Sequence, residues 1–212
     1  MDEYITDIKE ISSKKVLIFV NDEPSFFLYK NEPEKLGLKT GDVLGPESKD
    51  EIYNELLYKR ALNRVLGLIR ARDHTVFEIS EKLKKDHYPE SIISPIIEEM
   101  KKQGFLDDRR FAENYISLYS ESRSALVIKQ NLLQKGIDKN VIEEELEKFS
   151  GENPESEAEL ITKLLETKYK RDITFTDEHE RYKFMSKVYG FLMRKGFSYE
   201  KSEKAVKEFF DR

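Results

Sequence analysis

The side chains most able to do chemistry are few and scattered. His74, His87 and His179 lie far apart, each in a polar stretch. His179-Glu180 opens like the zinc-protease pattern, but the place of its second histidine is taken by Lys183. Asp107-Asp108 sets two carboxylates side by side, where a turn and an N-cap account for them. Gly37-Leu-Lys-Thr-Gly41-Asp42 has the glycines of a phosphate loop without its Gly-Lys-Ser/Thr ending. No Gly-x-Ser-x-Gly is present. The absence of cysteine excludes a disulfide framework and a thiolate metal site and is compatible with a reducing compartment. The expectation is a protein that is not an enzyme, with no metal and no cofactor.

The remaining chemistry is basic. Arg60, Arg64, Arg70 and Arg72 run along and just past one helical stretch, Lys82, Lys84 and Lys85 close a second, and Lys101-Lys102 close a third before Arg109-Arg110. Lysines at helix C-termini answer the helix dipole and ordinarily form a solvated face. As a stripe they would meet phosphates or an acidic partner. Net charge is −5, so any such stripe is local. Residues 1–50 balance at −4, residues 51–106 at +1, residues 107–150 at −2 and residues 151–212 at zero, so only the second segment leans basic.

The elements that position these groups repeat. Shifted by 49 residues, Leu62, Leu66 and Ile69 fall on Phe111, Tyr115 and Leu118, Ile79 and Leu83 on Ile128 and Leu132, and Tyr88, Ile97 and Met100 on Ile137, Leu146 and Phe149. Thr75 falls on Ser124. A looser third copy ends with Phe197, Val206 and Phe209 and carries about eleven extra residues near 171–180, because Ile137 to Phe197 spans 60. Such self-similarity means stacked units burying one another's apolar faces. The spacing places Tyr115 on the core face, so Tyr115 and Tyr119 are not counted as a stacking platform; Leu83, Ile97, Leu132 and Leu146 are assigned to the core.

Capping residues punctuate the helices. Ser48 with Glu51 predicts the start of a helix over about 50–71, and Thr75 with Glu78 the start of the next. Pro89 sits near a third helix start, and Gly104 ends that helix. Asp108, Ser124 and Asp138 cap the second unit's helices, and Ser150–Ser156 reads as a polar linker. Ahead of all this, residues 4–30 read as strands: Val16–Val20 and Phe26–Tyr29 flank the turn residues Asn21-Asp22-Glu23-Pro24. A hairpin alone is marginal in water, so this module must lean on a third strand or on the helices.

The predicted architecture is mainly α: three tandem three-helix repeats in an elongated curved array, preceded by a small β-hairpin-containing module. The divisions fall at 1–47, 48–106, 107–151 and 152–212. Hydrophobic and charged fractions of 38% and 37% suit small bundles with wide solvated faces rather than one thick core. No basic n-region precedes an apolar run, and no stretch approaches the ~18 apolar residues of a membrane span, so a soluble cytoplasmic chain is expected.

Gly104-Phe-Leu-Asp-Asp-Arg-Arg-Phe-Ala-Glu-Asn-Tyr115 resembles the Gly-x-Leu-Asp-Asp-x-x-Phe-Ala signature of the RecX family, regulators of the recombinase RecA. Leu132-Leu-Gln-Lys-Gly-Ile-Asp138 followed by Val141, Ile142 and Leu146, and Ala61-Leu62 with Leu66, Arg72, Thr75 and Glu78, extend the resemblance. The segment around Gly37-Leu-Lys-Thr-Gly41 is similar to the extension of longer members. The resemblance implies three three-helix repeats, a curved rod lying in the groove of the RecA–DNA filament, inhibition of strand exchange, ATP turnover and co-protease activity, and no catalytic residues. One departure stands out. Before the second repeat helix the family often has a basic, glycine-containing turn, where this chain has Glu121-Ser-Arg-Ser-Ala125.

The candidate contacts to RecA, its DNA filament or, weakly, DNA itself are Arg70, Arg72, Lys84, Lys85, Arg109, Arg110, Arg123 and Lys129, on a chain expected to be monomeric. Charge reversal at Arg109 and Arg110 is expected to weaken inhibition with helicity intact. Two alternatives compete. One is a DNA-binding regulator using the helix-turn-helix-like stretch Thr75–Lys102, although Glu90, Ser91, Ser94, Glu98 and Glu99 would meet phosphates badly. The other is a scaffold whose acidic N-terminal module docks a different protein.

Overall fold

A computed structural model describes residues 3–152 and 156–210. Strands β1 (Ile5–Glu10), β2 (Lys15–Val20) and β3 (Glu23–Tyr29) form an antiparallel sheet in that order. The turn between β2 and β3 is tighter than the sequence suggests. Only Asn21 and Asp22, both at positive φ, lie between the paired residues Val20 and Glu23, the backbone of a primed hairpin turn. Pro24 falls inside β3, an edge strand, beside a register shift between Ile18 and Phe19. The third strand required for stability is β1, and Asp42 and Gly41 clamp its start by backbone bonds with Ile5.

After the short α1 (Glu32–Lys35), Gly45 caps α2 (Pro46–Asp50), which runs through a π-helical segment (Glu51–Leu57) into α3 (Tyr58–Ala71). Pro46 supplies the helix start, because its missing N–H is an orphan there in any case. Ser48 therefore lies inside the helix, and the Ser48–Glu51 capping box does not form. Then come α4 (Val76–Lys85) and α5 (Glu90–Lys102). The Thr75 hydroxyl accepts the Glu78 N–H at 3.1 Å, as the sequence predicts.

One core runs through this N-terminal unit, residues 1–107. Phe27 meets Tyr88 edge-on at 5.1 Å and Phe26 meets Tyr53 at 5.3 Å, so the sheet packs directly on the helices. Arg60 ties them further, reaching Glu32 at 2.6 Å while lying over the Tyr29 ring.

The C-terminal unit holds α6 (Asp108–Tyr119), α7 (Ala125–Gln134), α8 (Lys139–Glu152), α9 (Glu157–Lys168), α10 (Glu178–Arg194) and α11 (Tyr199–Phe210). Helix α6 begins at Asp108, which is a first-turn residue rather than the cap. Ser150–Glu152 continue α8 instead of opening a linker; Pro154 of that proposed linker lies outside the described residues. Ser156 and Glu159 form a complete capping box that the sequence reading did not use.

The 49-residue repeat holds in the second and third helices, where Ile79/Ile128, Leu83/Leu132 and Ile93/Ile142 are all buried. In the first helices it holds for partly buried residues, since Leu62/Phe111 and Leu66/Tyr115 pack against their cores, but not for the fully buried ones. The buried pairs there are Ala61, Val65 and Ala112, Ile116, an offset of 51. The next helix cap follows ten positions after Val65 (Thr75) but eight after Ile116 (Ser124), and a two-residue slip turns the helix by more than half a turn. Tyr115 is half-buried and packs against the core, as the spacing predicts, whereas Leu118 is 71% exposed. Leu83, Leu132 and Ile97 are core as expected, whereas Leu146 is only partly buried. The extra residues of the third repeat are split. The link before its second helix has nine residues (169–177) against five (120–124), and α10 has seventeen against ten in α7.

Candidate partner-binding surface

The basic candidates are best sorted by what each side chain already holds. In the N-terminal unit, Arg70 is exposed in the last turn of α3, and Lys85 is exposed at the end of α4. Among the described residues no ion pair engages either of them. Arg72 follows α3 in extended backbone and donates to the Asp73 carbonyl at 2.7 Å and to Glu78 at 3.0 Å. Lys84 sits loosely between Glu81 (3.9 Å) and Glu90 (3.6 Å). Arg70 and Arg72 flank the start of α4 while Lys84 and Lys85 close it. A ten-residue helix, ~15 Å, separates the two pairs, so the structure does not gather them into one patch.

The same Glu78 carboxylate meets His74 Nδ1 at 2.8 Å. His74 is buried, contrary to its polar sequence context, and burial holds its pKa below the usual histidine range. The link from α3 to α4 is thus a compact Arg72–Glu78–His74 cluster.

In the C-terminal unit the cations are more committed. Arg109 donates through Nη1 to Glu145 and through Nη2 to Glu144, each at 2.6 Å. Glu145 is the unusual member. It is buried on α8 at the position where the first repeat has Ile96 and the third has Ala205. A carboxylate at a core position needs a charged partner, and Arg109 supplies it. The sequence signal was available, since the 49-residue shift lays Glu145 on Ile96. Arg109 is therefore an internal counter-ion, and reversing its charge would strike the fold of this repeat as well as any contact.

Lys129 on α7 pairs with Glu143 on α8, and this bond holds the Glu143 carboxyl below the usual carboxylate range. Arg123, half-buried just before α7, lies 4.3 Å over the Tyr119 ring and donates to the Tyr115 hydroxyl at 3.3 Å. Arg110 is exposed in the first turn of α6.

The helix-turn-helix-like pair is α4 and α5. The outward face of α5 carries Glu90, Ser91, Ser94 and Glu98, with Ser94 donating to Glu90 at 2.9 Å, while Glu99 accepts the Tyr58 hydroxyl. An acidic face of this kind repels a phosphate backbone. The glycine loop of the β module is structural: Lys39 N–H donates to the Asp42 carboxylate at 2.8 Å and Gly41 N–H to the Ile5 carbonyl. Among the described residues no helix is long and apolar enough to cross a membrane, and no three metal-ligating side chains converge.

A three-stranded sheet followed by three three-helix domains, with surface cations largely paired inside the molecule, defines a helical-repeat protein. Comparison with known proteins makes the class specific. The first, second and third three-helix domains of RecX match residues 61–100, 107–146 and 155–206. The regulatory protein RecX of Clostridium acetobutylicum is 31% identical over 211 residues, covering 97% of this chain and 96% of that one. Among solved structures, RecX from Lactobacillus salivarius is 25% identical with a TM-score of 0.54, covering 72% of this chain and 96% of that one. A crystal structure of regulatory protein RecX, at 24% identity and a TM-score of 0.56, shares the fold over 97% of this chain and 99% of that one. The chain belongs to the RecX family, non-enzymatic regulators known as inhibitors of RecA.

Proposed function

We propose that this chain binds RecA assembled on DNA, as a monomer in the cytoplasm, and lowers its recombinase, ATPase and co-protease activities mainly through protein contacts. The observation that carries the reading is the ordered run of three RecX domains within a chain that aligns end to end with a RecX relative. The mainly-protein part rests on the state of the cations. Arg109 and Lys129 are held by glutamates, Arg72 by Glu78, and Arg123 by tyrosines, which leaves Arg70 and Lys85 as the clearest groups for phosphate. Two phosphate contacts give DNA affinity that is weak and shallow in salt dependence.

The test is co-sedimentation of the chain with RecA filaments on single-stranded DNA, beside the same DNA without RecA, across a salt series. Retention by the filament and not by bare DNA supports the proposal. Equal retention by both, falling steeply with salt, transfers the function to the DNA-binding alternative.

A further inference from the structure

Within the C-terminal unit, a cleft of about 870 Å³ opens between the second and third three-helix domains. Its floor is apolar, made by Ile116, Ile128, Leu146, Phe149 and Leu160. Its rim is acidic. Glu113, Glu121, Glu152 and Glu157 face Arg123 and Lys201. Two of these carboxylates are neutralised on the spot, Glu113 by Lys148 at 2.9 Å and Glu157 by Lys201. Arg123 lies over the Tyr119 ring and donates to the Tyr115 hydroxyl, neutral partners that hold its position but keep its charge. Glu121 and Glu152 are exposed; among the described residues neither forms a salt bridge, although Lys148 lies within electrostatic reach of Glu152.

The walls are also fixed. The Ser124 N–H donates to the Lys195 carbonyl at 2.9 Å, and the Ser124 hydroxyl donates to the Gly196 carbonyl at 2.8 Å, so the N-terminus of α7 is tied to the C-terminal end of α10. Gly196 has φ +90°, and a Cβ there would stand 2.2 Å from Val127. The two domains approach closely enough at this joint to exclude any larger residue.

We infer that this cleft is a docking site for a protein segment that sets an apolar side chain beside a lysine or arginine, supplied by the RecA protomers of the filament. The inference rests on the proposed function and adds a place and a chemistry to it. The volume falls within the ~300–1,000 Å³ of pockets that bury a drug-sized ligand, which gives room for a few side chains. Four carboxylates against two cations in the lining leave the rim net acidic, which provides complementarity to a cation and repels nucleic acid. The proposal assigns the turn carrying Glu121 to protein, at the position where the sequence departs from a basic, glycine-containing turn.

The experiment compares the wild-type chain, Glu121→Gln/Glu152→Gln and Glu121→Lys/Glu152→Lys as inhibitors of cognate RecA ATPase on single-stranded DNA. Both residues are exposed, so folding should survive, and circular dichroism checks it. The expected result is a rise in the half-inhibitory concentration, modest for the Gln variant and at least about tenfold for the Lys variant. Lysines can only strengthen attraction to DNA, so their loss of potency would not come from a DNA contact. Unchanged or improved inhibition by the Lys variant, with the wild type active, overturns the cleft assignment and leaves the proposed function standing. An inactive wild type overturns both.

Discussion

Glu145 allows the sharpest test of how this fold is held. Its side chain is 6% exposed, and its close partner is Arg109 at 2.6 Å, with Lys148 more distant at 3.9 Å. The perturbation is Arg109→Met, which keeps an apolar stem and removes the charge. A buried polar group stripped of its partner costs ~1–3 kcal/mol, and more when it is charged. Arg109 is itself half exposed, so water screens the pair, and Lys148 remains; the loss felt at Glu145 should fall in the lower half of that range. The second variant, Glu145→Met, should be neutral or slightly stabilising, because apolar residues fill this place in the other two repeats. The double variant should then recover most of what Arg109→Met loses. Urea unfolding followed by circular dichroism reads the cycle. The C-terminal transition should be followed separately, because the chain has two compact units and need not unfold in one step. Additive single-variant effects, or an Arg109→Met chain as stable as the wild type, would refute the claim that Arg109 is the counter-ion of a buried charge.

Other outcomes follow from individual residues. The folded pKa of His74 lies below its unfolded value, so the unfolded chain binds the proton more readily. Stability should be full above the ordinary histidine pKa and fall as pH drops through it; His74→Gln should flatten that slope in thermal melts between pH 7.5 and 5.5. His87 adopts φ 61° where the other repeats have Gly136 and Gly196, also at positive φ. His87→Gly should therefore raise stability by up to ~1 kcal/mol in urea titration, and no gain would mean the turn carries no strain. Gly196→Ala should do the opposite and loosen the joint with Ser124 and Val127, seen as a lowered C-terminal melting temperature. The buried Ser202 hydroxyl has no hydrogen-bond partner among the described residues, and Ser202 occupies the position of Ile93 and Ile142, so Ser202→Ala should stabilise by ~1 kcal/mol in the same titration.

Much of the helical architecture is legible in the sequence because its signals are local. Thr75 and Ser124 cap where they should, and Ile79, Leu83, Ile128 and Leu132 bury on schedule, since a cap and a 3.6-residue stripe are decided within a few residues. The fully buried residues of the first helices escape the same reading because their phase depends on the links at Arg72–Thr75 and Ser120–Ser124, whose path apolar spacing does not encode. Ser48 misleads for a related reason: a hydroxyl followed by Glu51 looks like a cap, but Pro46 has already begun the helix. The candidate contacts were legible as basic residues and illegible as free ones. Arg109 and Lys129 find Glu145 and Glu143 about 36 and 14 positions away, a pairing that only the packing of α8 on its neighbours creates. The cleft was invisible for the same reason, since Glu121, Glu152 and Leu160 come from separate elements.

The central claim is that this chain restrains RecA. DNA-dependent ATP hydrolysis by preformed cognate RecA filaments, with the chain titrated in below the concentration of RecA, tests it most directly. The account predicts a fall in rate that saturates and that bare-DNA binding does not explain. An unchanged rate with chain shown to be folded by circular dichroism would contradict it.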